Sequence, residues 1–263
     1  MRKFFATLLK MTIAFVIGAA FTVLTIESTQ RSIELNRISE IQSLDNVSLN
    51  LSPRTQRTLR TSRNSAVQIM SASMESPVIS SSSGTYIKLE DRYYILTVGH
   101  AIIGPCEMMR IMVDDEMHHC LEYARIDRFV DYAIIEVEQI PNRTPVKIPD
   151  AMPEPDEWVR SLSIHTNVYY TGFPNGLGPL SMNGIIVGYD VVENVYIQSF
   201  AWPGSSGSGV FNENGKLIGF VMAISVGATE YGISVLEDLA IVVPLYQIDW
   251  DIPEPEGEED NEP

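Results

Sequence analysis

Basic residues are scarce in this sequence. Lysine and arginine number 18 against 34 aspartates and glutamates, a formal net charge of −16. With no nucleic-acid motif anywhere in the chain, that balance argues against a protein that grips a phosphate backbone by charge. Histidine is scarcer, at four, so a histidine-based chemistry has few candidates. Only two cysteines occur, Cys106 and Cys120. An oxidising compartment would let them pair, yet a hairpin centred near Asp115 would set Cys106 opposite about Arg125, which argues against direct pairing. His118-His119-Cys120 followed by Glu122 has metal-ligand residue types. Adjacent strand residues face opposite ways, so only His118 and Cys120 would share a face, and no metal or cofactor is expected.

The one long apolar run lies at the N-terminus. Residues 4–26 follow Met1-Arg2-Lys3, and no charge occurs from Met11 to Ile26. The run is long enough to span a bilayer as a helix, with Lys10 near the inner surface and the rest of the chain outside the cytoplasm. A cleaved signal peptide ending near Gly18-Ala19-Ala20, and hence a secreted protein, is the rival. The apolar run continues past Ala20, which favours an uncleaved signal-anchor over residues 1–26.

Residues 27–64 read as a partly helical spacer. Ile33, Leu35, Ile38, Ile41 and Leu44 fall at roughly helical spacing and are compatible with self-association into a homo-oligomer. Residues 49–64 carry Arg54, Arg57, Arg60 and Arg63 and no acid, as in a solvated helix leading into the first strand, with a seat on the acidic body of the protein or on anionic lipid as the alternative. At the far end, residues 249–263 are acidic, proline-broken and without a basic residue, the composition of a disordered tail. About 185 residues remain between, enough for a substantial core. Short β-branched and aromatic runs at 66–72, 86–89, 109–113, 121–126, 184–187, 195–197 and 217–222, punctuated by turn residues, make the class all-β.

Three short motifs carry chemistry. Pro203-Gly204-Ser205-Ser206-Gly207-Ser208-Gly209 places a serine between glycines, which permit the sharp turn that exposes a nucleophile. By itself this is more often a turn or linker. His100 ends the strand-like run Tyr93-Tyr94-Ile95-Leu96-Thr97-Val98-Gly99, and Asp131 opens another, Tyr132-Ala133-Ile134-Ile135-Glu136-Val137. Each alone is ordinary, but together they follow a chain order known for a Ser-His-Asp triad. Asp127 is the nearest rival carboxylate, and it lacks the strand that follows Asp131.

On these motifs the chain resembles a trypsin-like serine protease, most closely the HtrA/Deg-type bacterial proteases. The resemblance runs from about Ser65 to Ile248. Ser83-Gly84-Thr85-Tyr86-Ile87 with His100 is similar to the family's catalytic-histidine segment. Thr171-Gly172-Phe173-Pro174-Asn175-Gly176-Leu177-Gly178 is similar to its glycine-rich loop near the cleft. The resemblance implies two six-stranded antiparallel β-barrels of chymotrypsin-like type, one from residues 66–138 and one from 158–248, linked by the proline-rich 141–155. It implies Ser206 as nucleophile, His100 as base, Asp131 as orienter, and the backbone N–H groups of Gly204 and Ser206 as oxyanion hole. It implies polypeptide substrates, with Phe200, Ala201, Ala223 and Ser225 on the substrate pocket. No carboxylate lies at 200–202 or 221–225, so an aliphatic or small uncharged residue is expected at the cut site. Departures are Val98 before Gly-His, Ser205 where digestive members carry an activation aspartate, and Ser208-Gly209 in place of Gly-Pro. No PDZ-like region follows. The sequence thus predicts a membrane-tethered, extracytoplasmic serine endopeptidase over residues 65–248. A catalytically inactive binding module on the same fold, or an esterase using the same residues, are the alternatives.

Overall fold

The β-branched and aromatic runs become strands. The computed structural model describes residues 47–48, 50–114, 116–149, 158, 160, 162–229 and 232–252. The chain divides into two compact units, 1–47 and 48–263, and the architecture below is that of the second. The apolar stretch, the spacer to residue 46, residues 49, 115, 150–157, 159, 161 and 230–231, and the tail from 253 lie outside the described residues. Among the described residues no helix is long and apolar enough to cross a membrane.

The first half comprises β1 (Ala66–Ser73), β2 (Ser76–Leu89), β3 (Arg92–Val98), β4 (Met109–Val113), β5 (Glu116–His119), β6 (Glu122–Asp127) and β7 (Tyr132–Val137). They join in the order β5-β4-β1-β2-β3-β7-β6, and the short β8 (Val146–Lys147) pairs in parallel with β2. The second half comprises β9 (Asn167–Gly172), β10 (Leu180–Tyr189), β11 (Val195–Gln198), β12 (Gly209–Asn212), β13 (Leu217–Thr229) and β14 (Gly232–Pro244), which close into a barrel in the order β10-β11-β14-β13-β12-β9.

Only one of the two expected barrels therefore closes. The first half is an open, strongly curved sheet. Closing it would require β5 to pair with β6, but only Cys120 and Leu121 separate them, and the Leu121 N–H already donates to Glu136 O at 2.9 Å. The chain thus joins the β6–β7 pairing directly after β5, and β5 and β6 are successive segments rather than partners.

The period of two along a strand explains why β3 and β7 read as unbroken apolar runs. Ile95, Ala133, Ile135 and Val137 face a core with Val67, Ile69, Tyr86 and Ile111. The alternate residues Tyr94, Leu96, Val98, Tyr132 and Ile134 face a second core with Val168, Tyr170, Phe220 and Val242. Both faces of the central strands are thus buried, which removes the polar alternation expected of a one-sided sheet.

The arginine-bearing stretch forms helix α1 (Pro53–Ser65), capped by Ser52, whose Oγ accepts the Thr55 N–H, with Pro53 in its first turn. Ser–Pro is a favoured start because the cap oxygen satisfies a free N–H while proline lacks one. The helix is seated rather than merely solvated. Thr58 Oγ1 donates to Glu213 O at 3.1 Å, Ser62 Oγ to Thr171 Oγ1 at 2.9 Å, and Arg63 Nη1 to Pro179 O and Ser181 Oγ. Arg143 ties the helix end to the first sheet, donating to Arg63 O and to Asp114 Oδ1.

Cys106 and Cys120 form a disulfide with Cα atoms 5.4 Å apart, contrary to the hairpin argument. The β4–β5 register pairs Arg110 with His119, which sets Cys120 beside Met109. Cys106 does not continue the strand but sits in a 3-10 turn, Cys106–Met108, that folds it back over the end of the hairpin. The bond also removes the Cys120 sulfur from any set of metal ligands.

Candidate active site

His100 stands one residue past Gly99, where β3 ends against the start of β7. The Gly99 N–H donates to Asp131 O at 3.1 Å. A Cβ on residue 99 would lie 3.2 Å from Asp131 Oδ1 and 3.1 Å from Asp127 O, so the close approach of the two strand ends favours glycine there. Arg128 braces the same turn, its guanidinium donating to Gly99 O and to Ile102 O.

Asp131 has φ +68, the left-handed region that aspartate tolerates better than most residues. That conformation turns its carboxylate back onto His100. Oδ1 accepts the His100 backbone N–H at 2.7 Å, and Oδ2 lies 2.7 Å from ring Nδ1. A carboxylate only accepts, so Nδ1 holds the proton and the Nε2 lone pair is left free. Asp131 is largely sheltered while the His100 side chain is 53% exposed, a ring oriented through Nδ1 and open to solvent. The rival Asp127 is otherwise employed. Its Oδ1 accepts the N–H groups of Phe129 and Val130, capping the turn that leads into β7.

Ser206 lies on the turn between β11 and β12. This loop is bound to the first sheet, which supplies the histidine and aspartate. Ser83 N–H on β2 donates to Ser206 O at 2.8 Å, and Thr97 Oγ1, three residues before His100, donates to Ser83 O at 2.7 Å. Gly207 sits at φ +90, and a Cβ there would fall 1.9 Å from Ser83 O and 2.4 Å from Thr97 Oγ1. The absent side chain is what lets the two halves meet at this point. Among the described residues neither Ser206 Oγ nor His100 Nε2 has a hydrogen-bond partner.

Gly204 has φ +95 and packs against Phe173 O and Asn175 N. The N–H groups of Ser205, Gly207 and Ser208 are paired with Trp202 O, Val221 O and Ser205 O. Among the described residues those of Gly204 and Ser206 have no acceptor. One of these free donors is on Ser206 itself and the other two residues before it, the kind of pair that can stabilise an oxyanion.

The expected pocket residues are scattered in environment. Phe200 is 47% exposed and packs edge-on against Trp202 at 4.6 Å. Ala201 is buried in the core of the second half. Ala223 is half-buried on β13 opposite Ile241. Ser225 follows on the same strand, opposite Leu236, and its side chain lies outside the described residues. Tyr170, pushed up to about 12 by burial against a smaller lowering by the Ser199 hydroxyl, donates to Phe200 O. Sequence reasoning did not single out Ser83, which contacts the Ser206 turn. The one available signal was that Ser83 precedes Gly84 in the histidine segment.

A family model for the trypsin-like peptidase domain matches residues 82–220, over half of the 263-residue chain. The fold is similar to that of the Rv3671c protease from M. tuberculosis in its active form, at 18% identity and TM-score 0.56 over 76% of this chain and 86% of that one. It is similar to a serine endoprotease from Yersinia pestis, at 20% identity and TM-score 0.56 over 76% of this chain and 65% of that one. An inactive form of the M. tuberculosis protein aligns at 17% identity and TM-score 0.51, over 72% and 85% of the two chains. No curated protein sequence matches.

Proposed function

From the premise that this chain belongs to the trypsin-like peptidases, which are serine endopeptidases, we propose that it cleaves polypeptides outside the cytoplasm through Ser206, His100 and Asp131 while tethered by its apolar N-terminal segment. The observation that carries the reading is the two-point hold of Asp131 on His100, at 2.7 Å to the backbone N–H and 2.7 Å to Nδ1. It leaves Nε2 as the one free basic position of the ring.

The chemistry follows. Ser206 Oγ attacks the substrate carbonyl carbon as its proton passes to His100 Nε2. The negative oxygen forms hydrogen bonds with the Gly204 and Ser206 N–H groups. The imidazolium, held by Asp131, gives its proton to the leaving amine, and an acyl-enzyme remains on Ser206. Water, deprotonated by the same nitrogen, releases the acid. Neutral residues at 200–202 and 221–225 favour an aliphatic or small side chain before the cut. The region 65–248 is the protease domain, preceded by the anchor (1–26) and spacer (27–64) and followed by the acidic tail.

Cells expressing the full chain, treated with a fluorophosphonate probe and then fractionated, test both parts. A full-length labelled band in the membrane pellet, lost in Ser206→Ala and in His100→Ala, is expected. A folded wild-type chain that takes no label points to a binding module. A labelled chain of reduced mass in the soluble fraction points to a cleaved signal peptide.

A further inference from the structure

The carbonyls of the turn that carries Ser206 are held one after another. Pro203 O accepts the Asn175 N–H at 2.7 Å, and Gly204 O accepts the Ser83 Oγ–H at 2.7 Å. Ser205 O accepts both the Ser208 N–H at 3.1 Å and the Ser208 Oγ–H at 2.7 Å. Ser206 O accepts the Ser83 N–H at 2.8 Å, and Gly207 O the Thr85 Oγ1–H at 3.3 Å. Every peptide plane from 203 to 207 therefore has its carbonyl pinned.

A trans peptide is planar, and its C=O and N–H point opposite ways. Pinning Pro203 O accordingly aims the Gly204 N–H, and pinning Ser205 O aims the Ser206 N–H. These are the two donors without an acceptor among the described residues. Two side-chain hydroxyls, both fully buried, stand at the control points. Ser208 Oγ–H grips the carbonyl behind the Ser206 N–H. Ser83 Oγ accepts the Phe173 N–H at 2.8 Å, so its single proton is committed to Gly204 O. Through that pair of bonds Ser83 locks the turn to the 172–177 loop, which supplies the Asn175 N–H for Pro203 O. Space for Ser208 exists because residue 172 is glycine, where a Cβ would fall 2.1 Å from Ser208 Oγ.

We propose that Ser208, by gripping Ser205 O, aims the Ser206 N–H, and that Ser83, by joining the turn to the 172–177 loop that pins Pro203 O, steadies the Gly204 N–H, so that both are positioning residues that set the rate of the chemical step rather than the affinity for substrate. The proposal rests on the triad and oxyanion hole put forward above. Ser208 stands where the resembling proteases carry glycine, which assigns a purpose to that departure.

The test is the rate of covalent labelling by a fluorophosphonate as a function of probe concentration, on the purified full chain in detergent. It separates the first-order rate of bond formation, kinact, from the half-saturating concentration, KI. The attack develops negative charge on the phosphoryl oxygen, which occupies the oxyanion site. Removing an oxyanion donor outright costs about 10²–10³-fold in rate. Misaiming one should cost less, about tenfold in Ser208→Ala and about tenfold in Ser83→Ala, with KI within about twofold of wild type. Ser208→Ala is the safer variant, since the Ser208 N–H still holds Ser205 O. Its thermal midpoint is measured alongside.

An unchanged kinact in a folded Ser208→Ala chain overturns the positioning role. So does a fall in kinact matched by a rise in KI, which is the mark of general loosening. A folded wild-type chain that does not label at all overturns the underlying triad instead, which keeps the two failures apart.

Discussion

Replacing Asp131 by asparagine keeps the size of the side chain and changes its hydrogen-bonding character, so it isolates what the carboxylate does. Both carboxylate oxygens accept from His100, at 2.7 Å from the backbone N–H and 2.7 Å from Nδ1. An amide has one acceptor and one donor. If its NH2 faces Nδ1, the ring must carry its proton on Nε2, and the base is lost. If its oxygen faces Nδ1, two N–H donors oppose each other at the backbone, a penalty of about 1–3 kcal/mol. The imidazolium also loses its counter-charge. That loss is about 3 kcal/mol at an effective dielectric of roughly 20, after discounting for a ring that is half exposed. The sum, about 4–6 kcal/mol, corresponds to roughly 10³–10⁴ in rate. Time-resolved fluorophosphonate labelling of the purified full chain reads the rate directly, and a thermal melt shows that the fold persists. Asp127→Asn is the matched control. An amide oxygen can still accept from Phe129 and Val130, so labelling should stay within about threefold of wild type. Labelling of Asp131→Asn within tenfold of wild type, or an equal loss in Asp127→Asn, would refute the reasoning.

The Cys106–Cys120 bridge closes a loop with a sequence separation of 14, for which chain entropy predicts about 3 kcal/mol of stabilisation. The double variant Cys106→Ala/Cys120→Ala should therefore lower the urea midpoint while the still-folded fraction labels at the wild-type rate. An unchanged midpoint would count against the bridge. Tyr123 and Tyr170 are pushed up to about 12, both mainly by burial, against about 10 in an unfolded chain. The folded state thus keeps protons that the unfolded state releases. This contribution is complete below about pH 10 and is lost as pH rises toward 12. Urea midpoints should fall across that window less steeply in Tyr170→Phe than in wild type, and parallel curves would show that Tyr170 takes no part.

The local backbone of the candidate site was legible in its sequence because it depends on neighbours along the chain. A β-branched run ending in Gly99-His100, an aspartate opening Tyr132–Val137, and a serine among glycines at 204–209 each announce their backbone geometry through steric preference alone. The all-β class follows from the same short-range signals. Other features depended on tertiary contact. The open first sheet follows from the pairing partner β6 takes, β7 and not β5. The disulfide follows from a 3-10 turn that periodicity does not foresee. Sequence preferred Asp131 over Asp127 only by the strand that follows it, and the folded first sheet shows the N–H donors each carboxylate takes, His100 for Asp131 and Phe129 and Val130 for Asp127. The hold of Ser83 on Gly204 joins residues 121 apart in sequence. Its bond exists only where two independently patterned halves pack with glycines at 172 and 207 between them. Sequence thus determined which residue types were available and how their backbones turn. Tertiary structure decided which hydroxyls, carbonyls and N–H groups meet, since a buried polar group must be paired by whatever the fold brings within reach.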